Sequence, residues 1–548
     1  MSKPVLRLFH LLLIASLLGC FPFSPLQAAP AGSNEVAFIL FPSVIEARSS
    51  AGKPGMNLLL ETQDLHSYGT DLILPAKTNL LAVFNHDFAV DLESLWKETA
   101  QGFQLSLFKG GTNSPEPLPG FTLCAEMADA KSAEQWVTKK TSAWKTEGRA
   151  VLQSNVEGKP YFAIEKNRLI ANGQTNLIRP YFLTGPLFFC ASCSNQFLLS
   201  TSENALRASI LANTNLASIA PKDAQGKTAY LSFLPGETEK LFFGPTEKLT
   251  NGNSIVDSDM VLGSFMTDVA RTTLAYTSGA GADDLRFFFQ TATPARPFMR
   301  ILRFDTNSAV PPDFVKEDAV SFHRYRINMP DFFQNFEKQL GGFARLIVET
   351  VGKDKDPNFD TRTNIFQLTG NDIVYYEVPT VISNTPSSSG MLFIASSNPE
   401  LLGSNVQTFV TSLLPGNLSS FSRTNIAGVA YSTFSLPPMP MWGLNTTTQT
   451  VACTVYSNYL VFASETSVLE KFLSPARTNL LPLAQSEGWK KAQAVLGQTD
   501  SALGFARKPI LSTTTNQPPL LNEKKEVLLF FSAATGTNGL DLHYVVPR

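Results

Sequence analysis

Charged residues are scarce in this sequence. Asp, Glu, Lys and Arg make up 16% of the 548 residues, against roughly 25% in an ordinary soluble protein. The two signs nearly balance, with 44 Lys and Arg against 46 Asp and Glu. No basic field that could attract nucleic acid is expected. The sequence therefore predicts no nucleic-acid partner.

Catalytic signatures are also missing. The chain has five histidines and lacks the H-E-x-x-H, G-x-S-x-G, phosphate-loop and calcium-loop patterns. We predict that His86 and His323 lie near the end of the same strand in two repeats. A hydrogen-bonded surface histidine is the favoured interpretation of each, over a metal site formed by the two together. S-x-x-K occurs at 94–97 and 142–145 without its S-D-N and K-T-G companions. We therefore predict no catalytic residue, no metal site and no cofactor, and we favour a protein that is not an enzyme.

Cysteine is rare as well, with five in the whole chain. Cys190 and Cys193 form a C-x-x-C pair, but their neighbours predict a strand instead of the helix N-terminus that lowers a thiol pKa. Cys453 matches Cys190 in a second copy of the stretch, whereas Tyr456 stands where Cys193 would be. Buried free thiols are the favoured interpretation for these residues and for Cys124. A disulfide and a redox or metal site are the alternatives.

The first residues have the pattern of an export signal. Two basic residues precede an apolar run from residue 8 to residue 18, which is too short for a stable membrane span. The run ends in Leu-Leu-Gly-Cys, which resembles a bacterial lipobox in which Cys20 is acylated. We predict that 1–31 is a signal peptide with its lipobox ending at Cys20, and that a lipid anchor attaches the chain to a membrane. Ordinary cleavage near Ala31 is the alternative.

Two stretches of the chain have nearly the same pattern. FFCASCSNQFLLSTSENAL begins at Phe188, and VACTVYSNYLVFASETSVL begins at Val451. Their neighbours match in the same order, as expected of an internal repeat. The first matched pair is 80–100 with 319–340, and each of these two stretches is predicted as a strand followed by a helix. The other matched pairs are 103–111 with 365–379, 121–127 with 391–397, and the closing hairpins 272–289 with 527–546.

The repeat predicts two tandem homologous modules, at 34–305 and 306–548. Strand pairs and hairpins alternate with amphipathic helices in each module. This pattern is typical of an α+β fold with a largely antiparallel, twisted sheet and helices covering one face. The stretch from Pro75 to Phe84 (PAKTNLLAVF), followed by an amphipathic helix and the repeated strand–loop–strand–helix series, resembles the uncharacterised bacterial exported-protein domain family 3352. That resemblance implies a duplicated envelope protein and no agreed activity.

Equivalent loops of the two modules contain large apolar residues beside proline. They span 166–185 and 436–449, and such loops either fold onto their own core or form a contact surface. We interpret the following as contacts to a partner or ligand: Arg179, Tyr181, Phe182, Pro437, Met439, Met441 and Trp442.

The sequence thus indicates a non-catalytic binding or scaffolding protein of the bacterial cell envelope, in the membrane through its anchor or in the periplasm. Its partner would be an envelope protein or an apolar ligand. Two alternatives stay open: an exported hydrolase with a site between the modules, and a periplasmic carrier of an apolar ligand.

Overall fold

A computed structural model provides the structure of this chain. It describes residues 35–50, 74–110, 118–166, 181–183, 185–213, 215–216, 220–234, 237–238, 241, 269–279, 281–291, 310–327, 329, 331–334, 348–382, 385–413, 421–426, 428–436, 449–474, 477, 479–496, 502–509, 526–536 and 539–547. Contacts divide the chain into two compact units between Gln290 and Thr291. The predicted boundary after residue 305 lies outside the described residues.

The first unit combines helices with a sheet. Its helices are α1 (Val44–Ser50), α2 (Leu74–Phe88), α3 (Leu92–Glu98), α4 (Ala130–Thr146) and α5 (Glu203–Ala212). Its strands are β1 (Glu35–Phe41), β2 (Phe103–Phe108), β3 (Gly120–Glu126), β4 (Val151–Val156), β5 (Lys159–Glu165), β6 (Leu187–Cys193), β7 (Gln196–Ser200), β8 (Ala229–Phe233), β9 (Val269–Ser278) and β10 (Ala282–Thr291). Hydrogen-bonded neighbours run in the order β4-β5-β6-β7-β3-β2-β1-β8-β9-β10.

The second unit has the same kinds of element. Its helices are α6 (Pro399–Leu413), α7 (Thr466–Leu473) and α8 (Glu487–Leu496). Its strands are β11 (Ser321–Arg326), β12 (Thr369–Ile382), β13 (Thr385–Ser396), β14 (Ser422–Ile426), β15 (Val429–Leu436), β16 (Gln449–Tyr456), β17 (Tyr459–Ala463), β18 (Ala502–Pro509), β19 (Glu526–Gly536) and β20 (Gly539–Pro547). The neighbours run β14-β15-β16-β17-β13-β12-β11-β18-β19-β20. Helices with antiparallel strands confirm the α+β class.

Strand order is therefore the same in both units, and so is strand register. Outside the bulge at Glu35, the partners along β1 to β7 have counterparts at the same places in the second unit. Examples are Ala37–Leu107 with Ser321–Glu377, Leu107–Phe121 with Glu377–Gly390, and Tyr161–Ala191 with Tyr431–Thr454.

The shared Ser-Asn dipeptide is the turn of a two-residue hairpin. Ser194 joins β6 to β7 with φ 51°, and Ser457 joins β16 to β17 with φ 55°. Positive φ at the first turn residue is the type II′ arrangement, which matches the twist of the strands. In both units the carbonyl of the following Asn accepts a backbone hydrogen bond, from Met127 at 2.7 Å and from Ser396 at 2.9 Å. The repeated stretch is therefore a structural element of each sheet.

Helices cover both faces of the first sheet, so the predicted single helical layer is wrong for this unit. Trp136 and Trp144 of α4 pack in a core on one face of the sheet, together with Phe188 of β6. Leu206 and Ile210 of α5 pack in a second core on the opposite face, to which the alternate residues of β6 and β7 contribute. Every residue of β7 is buried, as expected of a strand that is covered on both sides.

One pair of predicted repeat elements is also wrong. Residues 80–88 were expected to be a strand equivalent to the strand that begins near 319, but they form the second half of α2. In the first unit, the strand that corresponds in position to β11 is β1. Its sequence, EVAFILF, precedes residues 80–88 in the chain. A short apolar run such as LLAVF fits a buried helix as well as a strand, and periodicity alone does not distinguish the two.

Candidate binding groove

A groove of about 440 Å³ lies in the second unit, between one flank of α6 and strands β14 to β17. This volume falls within the range of small-molecule sites in proteins. Its lining residues are Glu400, Gly403, Ser404, Gln407, Phe421, Arg423, Val429, Ala430, Tyr431, Ser432, Cys453, Thr454, Val455 and Leu460.

The helical wall of the groove comes from one face of α6. Glu400, Gly403, Ser404 and Gln407 are three and four positions apart, so they lie above one another on the helix. The Asn398 side chain fixes the start of this helix because its Oδ1 accepts the backbone N–H of Leu401 at 3.1 Å.

A glycine sets how closely the helix approaches the floor of the groove. A Cβ at Gly403 would lie 3.1 Å from Cδ1 of Leu460. Glycine therefore permits a closer approach of α6 to β17 than a larger residue would, which sets the depth of the groove at this point.

The sheet forms the other wall. Arg423 lies opposite Ser432, which lies opposite Cys453, so these three residues form a row across β14, β15 and β16. Phe421 stacks on Phe434 with ring centroids 4.9 Å apart, beside one end of that row. Thr454 is buried, and its hydroxyl donates to the carbonyl of Ala430 at 2.8 Å, which ties β15 to β16 beneath the groove.

Aromatic side chains fill the equivalent place in the first unit. The row there is Gln153, Phe162 and Cys190, by the same register. Beside it, the Trp136 ring lies 4.5 Å from the Phe197 ring, and Phe162 packs against the same core. In the first unit these rings occupy the space between the helix and the sheet.

The second unit has smaller or polar residues at the matching positions. Ser432 stands at the place of Phe162 and Leu460 at the place of Phe197. Counted from the helix caps Asp129 and Asn398, Asn405 stands at the place of Trp136. Its amide turns away to donate to the carbonyl of Asn364 at 2.7 Å. The groove exists because these aromatic side chains are absent.

Two opposite charges line the groove. Glu400 belongs to the helical wall and Arg423 to the sheet wall, and both side chains are exposed. Neither forms an ion pair with another residue in the part of the chain that the structure describes. Both charges are therefore available to a ligand.

The cysteines in the described part of the chain are free. Cys453 forms part of the groove, and burial raises its thiol pKa to about 12. Burial also raises the pKa of Cys124 and Cys190. Cys190 and Cys193 point to opposite faces of the first sheet, into different cores, so they cannot bond to each other without movement of the backbone. Cys124, Cys190 and Cys193 are buried free thiols, as expected, whereas Cys453 is free but only partly buried.

The two predicted histidine positions are not equivalent. His86 lies in α2, where its Nδ1 is 2.7 Å from Oδ1 of Asp87, and His323 lies in β11. The predicted match between them is therefore wrong. Among the described residues, no group of three or more His, Cys, Asp or Glu side chains is placed to hold a metal ion.

The predicted lipidation site Cys20 lies outside the described residues, and so do most of the predicted contact residues, namely Arg179, Pro437, Met439, Met441 and Trp442. Tyr181 begins a short 3-10 helix that ends at Leu183. Phe182 is only 2% exposed and faces the Phe121 ring at 6.5 Å. Phe182 is thus a core residue, which corresponds to the alternative that this loop folds onto its own core. The role of the other residues stays a prediction.

Sequence reasoning did not identify the groove residues. A usable signal was present in the predicted repeat, because Ser432 and Asn405 of the second unit stand at the places of Phe162 and Trp136 of the first unit. Loss of two large rings at matched core positions indicates either a repacked core or an opening. The distinction needs the packing of α6 against the sheet, which the sequence does not provide.

Comparison with known proteins gives no relative. No family model matches the chain, no curated protein matches it, and no solved structure matches it. The resemblance to domain family 3352 therefore stays a prediction. None of the helices in the described part of the chain has the length and apolar character needed to span a membrane.

Proposed function

We propose that this chain is a non-catalytic binding protein that holds a small ligand in the groove of its second unit. One observation carries the proposal: the groove is open where the same place in the first unit is filled by Phe162, Trp136 and Phe197. Apolar surface left in water forfeits about 25 cal/mol per Å² relative to burial. A ligand that covers the partly exposed side chains of Val455 and Phe421 recovers part of that free energy.

The groove offers binding groups without a catalytic set. Its thiol has a raised pKa and is a poor nucleophile. Its hydroxyls at Ser404 and Ser432 have no histidine, lysine or carboxylate partner among the described residues. This supports binding over hydrolysis in this groove, because hydrolysis needs a nucleophile or a water activated by a base.

We further propose that the two units are homologous modules produced by tandem duplication. The proposal is supported by their equal strand order, their equal register and the left-handed serines at matched turns. On this view the first module retains a packed core and the second has become the binding module. The family resemblance in the sequence fits the same history.

Location in the bacterial envelope completes the proposal. The basic start, the short apolar run and Leu-Leu-Gly-Cys support export and acylation of Cys20. A scaffold that binds another envelope protein is the second candidate, and it is favoured by the apolar loop sequence around Met441 and Trp442.

The anchor is tested by replacing Cys20 with alanine in a bacterial host with lipoprotein processing. We expect the unchanged chain to fractionate with membranes and to carry a diacylglyceryl mass on Cys20, measured by intact mass spectrometry. Cys20→Ala should abolish that mass, because the acylated thiol is removed. A chain that begins near Ala31 without lipid would show ordinary cleavage and contradict the anchor.

Filling the groove should block binding. Ser432→Phe places in the second unit the ring that Phe162 provides in the first, and we expect it to weaken binding of the neutral fluorophore N-phenyl-1-naphthylamine at least tenfold. Fluorescence titration of the mature chain measures this. Ser404→Phe fills the groove from the helical wall and should have the same effect if Ser432→Phe folds poorly.

The matched control is Phe162→Ser in the first unit. It removes a partly buried ring and so lowers stability, but it should leave the affinity for the fluorophore unchanged. Equal loss of binding in Phe162→Ser and Ser432→Phe, or no saturable binding by the unchanged protein, would show that the groove is not the site.

A further inference from the structure

The groove places its two charges on opposite walls and at different levels. Helix α6 begins at the end of the sheet that carries the Ser457 turn, because the backbone N–H of Ser396 donates to the carbonyl of Asn458. Glu400 is in the first turn of that helix. Arg423 belongs to the row that includes Cys453, which lies four positions before Ser457 on the other wall. A ligand spanning the groove meets a negative charge near one end and a positive charge farther along.

Neutral polar groups lie between the charges. Ser404 and Gln407 project from the helical wall, and Ser432 projects from the sheet wall. A Gln amide both donates and accepts hydrogen bonds, and a Ser hydroxyl does the same. The surface between these groups is apolar and is formed by Val455 and Cys453, which are both partly exposed.

We propose that the ligand is a short peptide with free termini and apolar side chains, its ammonium group near Glu400 and its carboxylate at Arg423. This assignment rests on the proposed function of the groove. A guanidinium group forms bidentate hydrogen bonds with a carboxylate. An ammonium group is a compact positive charge that forms an ion pair with a carboxylate. The amides of such a peptide match Ser404, Gln407 and Ser432, and its side chains cover the apolar surface.

Charge complementarity distinguishes this ligand from other amphiphiles. A fatty acid would satisfy Arg423 but leave Glu400 unmatched beside its apolar chain. A cationic amphiphile would do the reverse. Only a molecule with both charges, separated by a body that forms hydrogen bonds, matches both walls.

The test is isothermal titration of the full mature protein with Leu-Leu, N-acetyl-Leu-Leu and Leu-Leu amide. We expect each capped peptide to bind at least fivefold more weakly than Leu-Leu. Glu400→Gln should abolish the loss of affinity caused by acetylation, and Arg423→Gln should abolish the loss caused by amidation. Each variant removes the protein charge that pairs with the peptide terminus that the cap neutralises. Lys131→Gln, at the first-unit position equivalent to Glu400, is the control and should leave all three affinities unchanged.

The outcomes separate this inference from the function on which it rests. Equal binding of free and capped peptides, or displacement of the fluorophore by dodecanoate but not by Leu-Leu, would overturn the peptide assignment. If N-phenyl-1-naphthylamine binds and Ser432→Phe blocks it while no peptide binds, the groove is a binding site for another class of ligand. If neither the fluorophore nor any peptide binds, both proposals fail.

Discussion

Replacing Trp144 by alanine is expected to lower the free energy of unfolding of the first unit by about 3–5 kcal/mol, the usual range for a buried tryptophan. The side chain is fully buried, and its ring packs edge-on against Phe188 at 5.2 Å. Its Nε1–H also donates to the carbonyl of Phe88 at 2.8 Å, which ties α4 to the end of α2. The substitution leaves a large cavity and a buried carbonyl without its donor.

Hydrogen exchange with mass spectrometry measures this change unit by unit. Peptides from β6 and β7 should lose protection, while peptides from β16 and β17 should keep theirs. Trp144→Phe keeps most of the ring but removes the donor, so it should cost less, about 1–3 kcal/mol. Leu152→Ala changes a side chain that is 70% exposed and serves as the neutral control. Unchanged protection in Trp144→Ala would contradict this packing.

Removing Arg324 should destabilise the second unit by about 3–5 kcal/mol, as expected when one member of a buried ion pair is lost. Arg324 is 7% exposed, and its Nε donates to Oδ1 of Asp372 at 2.8 Å. Tyr459 donates its hydroxyl to the other carboxylate oxygen at 2.8 Å. Burial and then the Asp372 carboxylate raise the pKa of Tyr459 to about 12, so this hydroxyl remains a donor at neutral pH. Among the described residues, Arg324→Met leaves Tyr459 as the side-chain donor to this carboxylate.

A double-mutant cycle checks the origin of the effect. Arg324→Met with Asp372→Leu removes both charges and should recover much of the loss in urea unfolding, because no charge is then left buried without its partner. Arg362 and Glu349 form an exposed pair at 3.8 Å, so Arg362→Met should change stability by no more than about 1 kcal/mol. An equal loss in Arg362→Met and Arg324→Met would show that burial is not the cause.

Local patterns of the sequence were sufficient for the closing hairpins. The stretches 272–289 and 527–546 each combine two apolar runs with a glycine-containing turn, and these signals depend only on neighbouring residues. The amphipathic pattern of α4 likewise placed Trp136 and Trp144 in the core. The same reasoning failed at 80–88, because a run of consecutive apolar residues fits a helix and a strand equally well.

Features that depend on packing between distant elements could not be predicted. The second helical layer needs α5 on the opposite face of the sheet from α4, and this follows from the path of the chain after β7. The groove depends on the distance between α6 and β17, which Gly403 and Leu460 set across many intervening residues. The two charges on its walls come from a helix and from an outer strand that are separate in sequence.

Equal strand order and register in the two units have a consequence for folding. During folding, a strand from one unit could pair with the sheet of the other unit, because its hydrogen-bonding pattern fits there. Exchange of strands between similar units is a known kinetic trap in proteins with tandem domains. The divergent cores oppose it. A β6–β7 hairpin that carries Phe188 and Phe197 would overfill the places that Val451 and Leu460 occupy in the second unit, and overpacking costs about 1–3 kcal/mol at each such position. The differences between the two cores therefore also help each sheet to select its own strands.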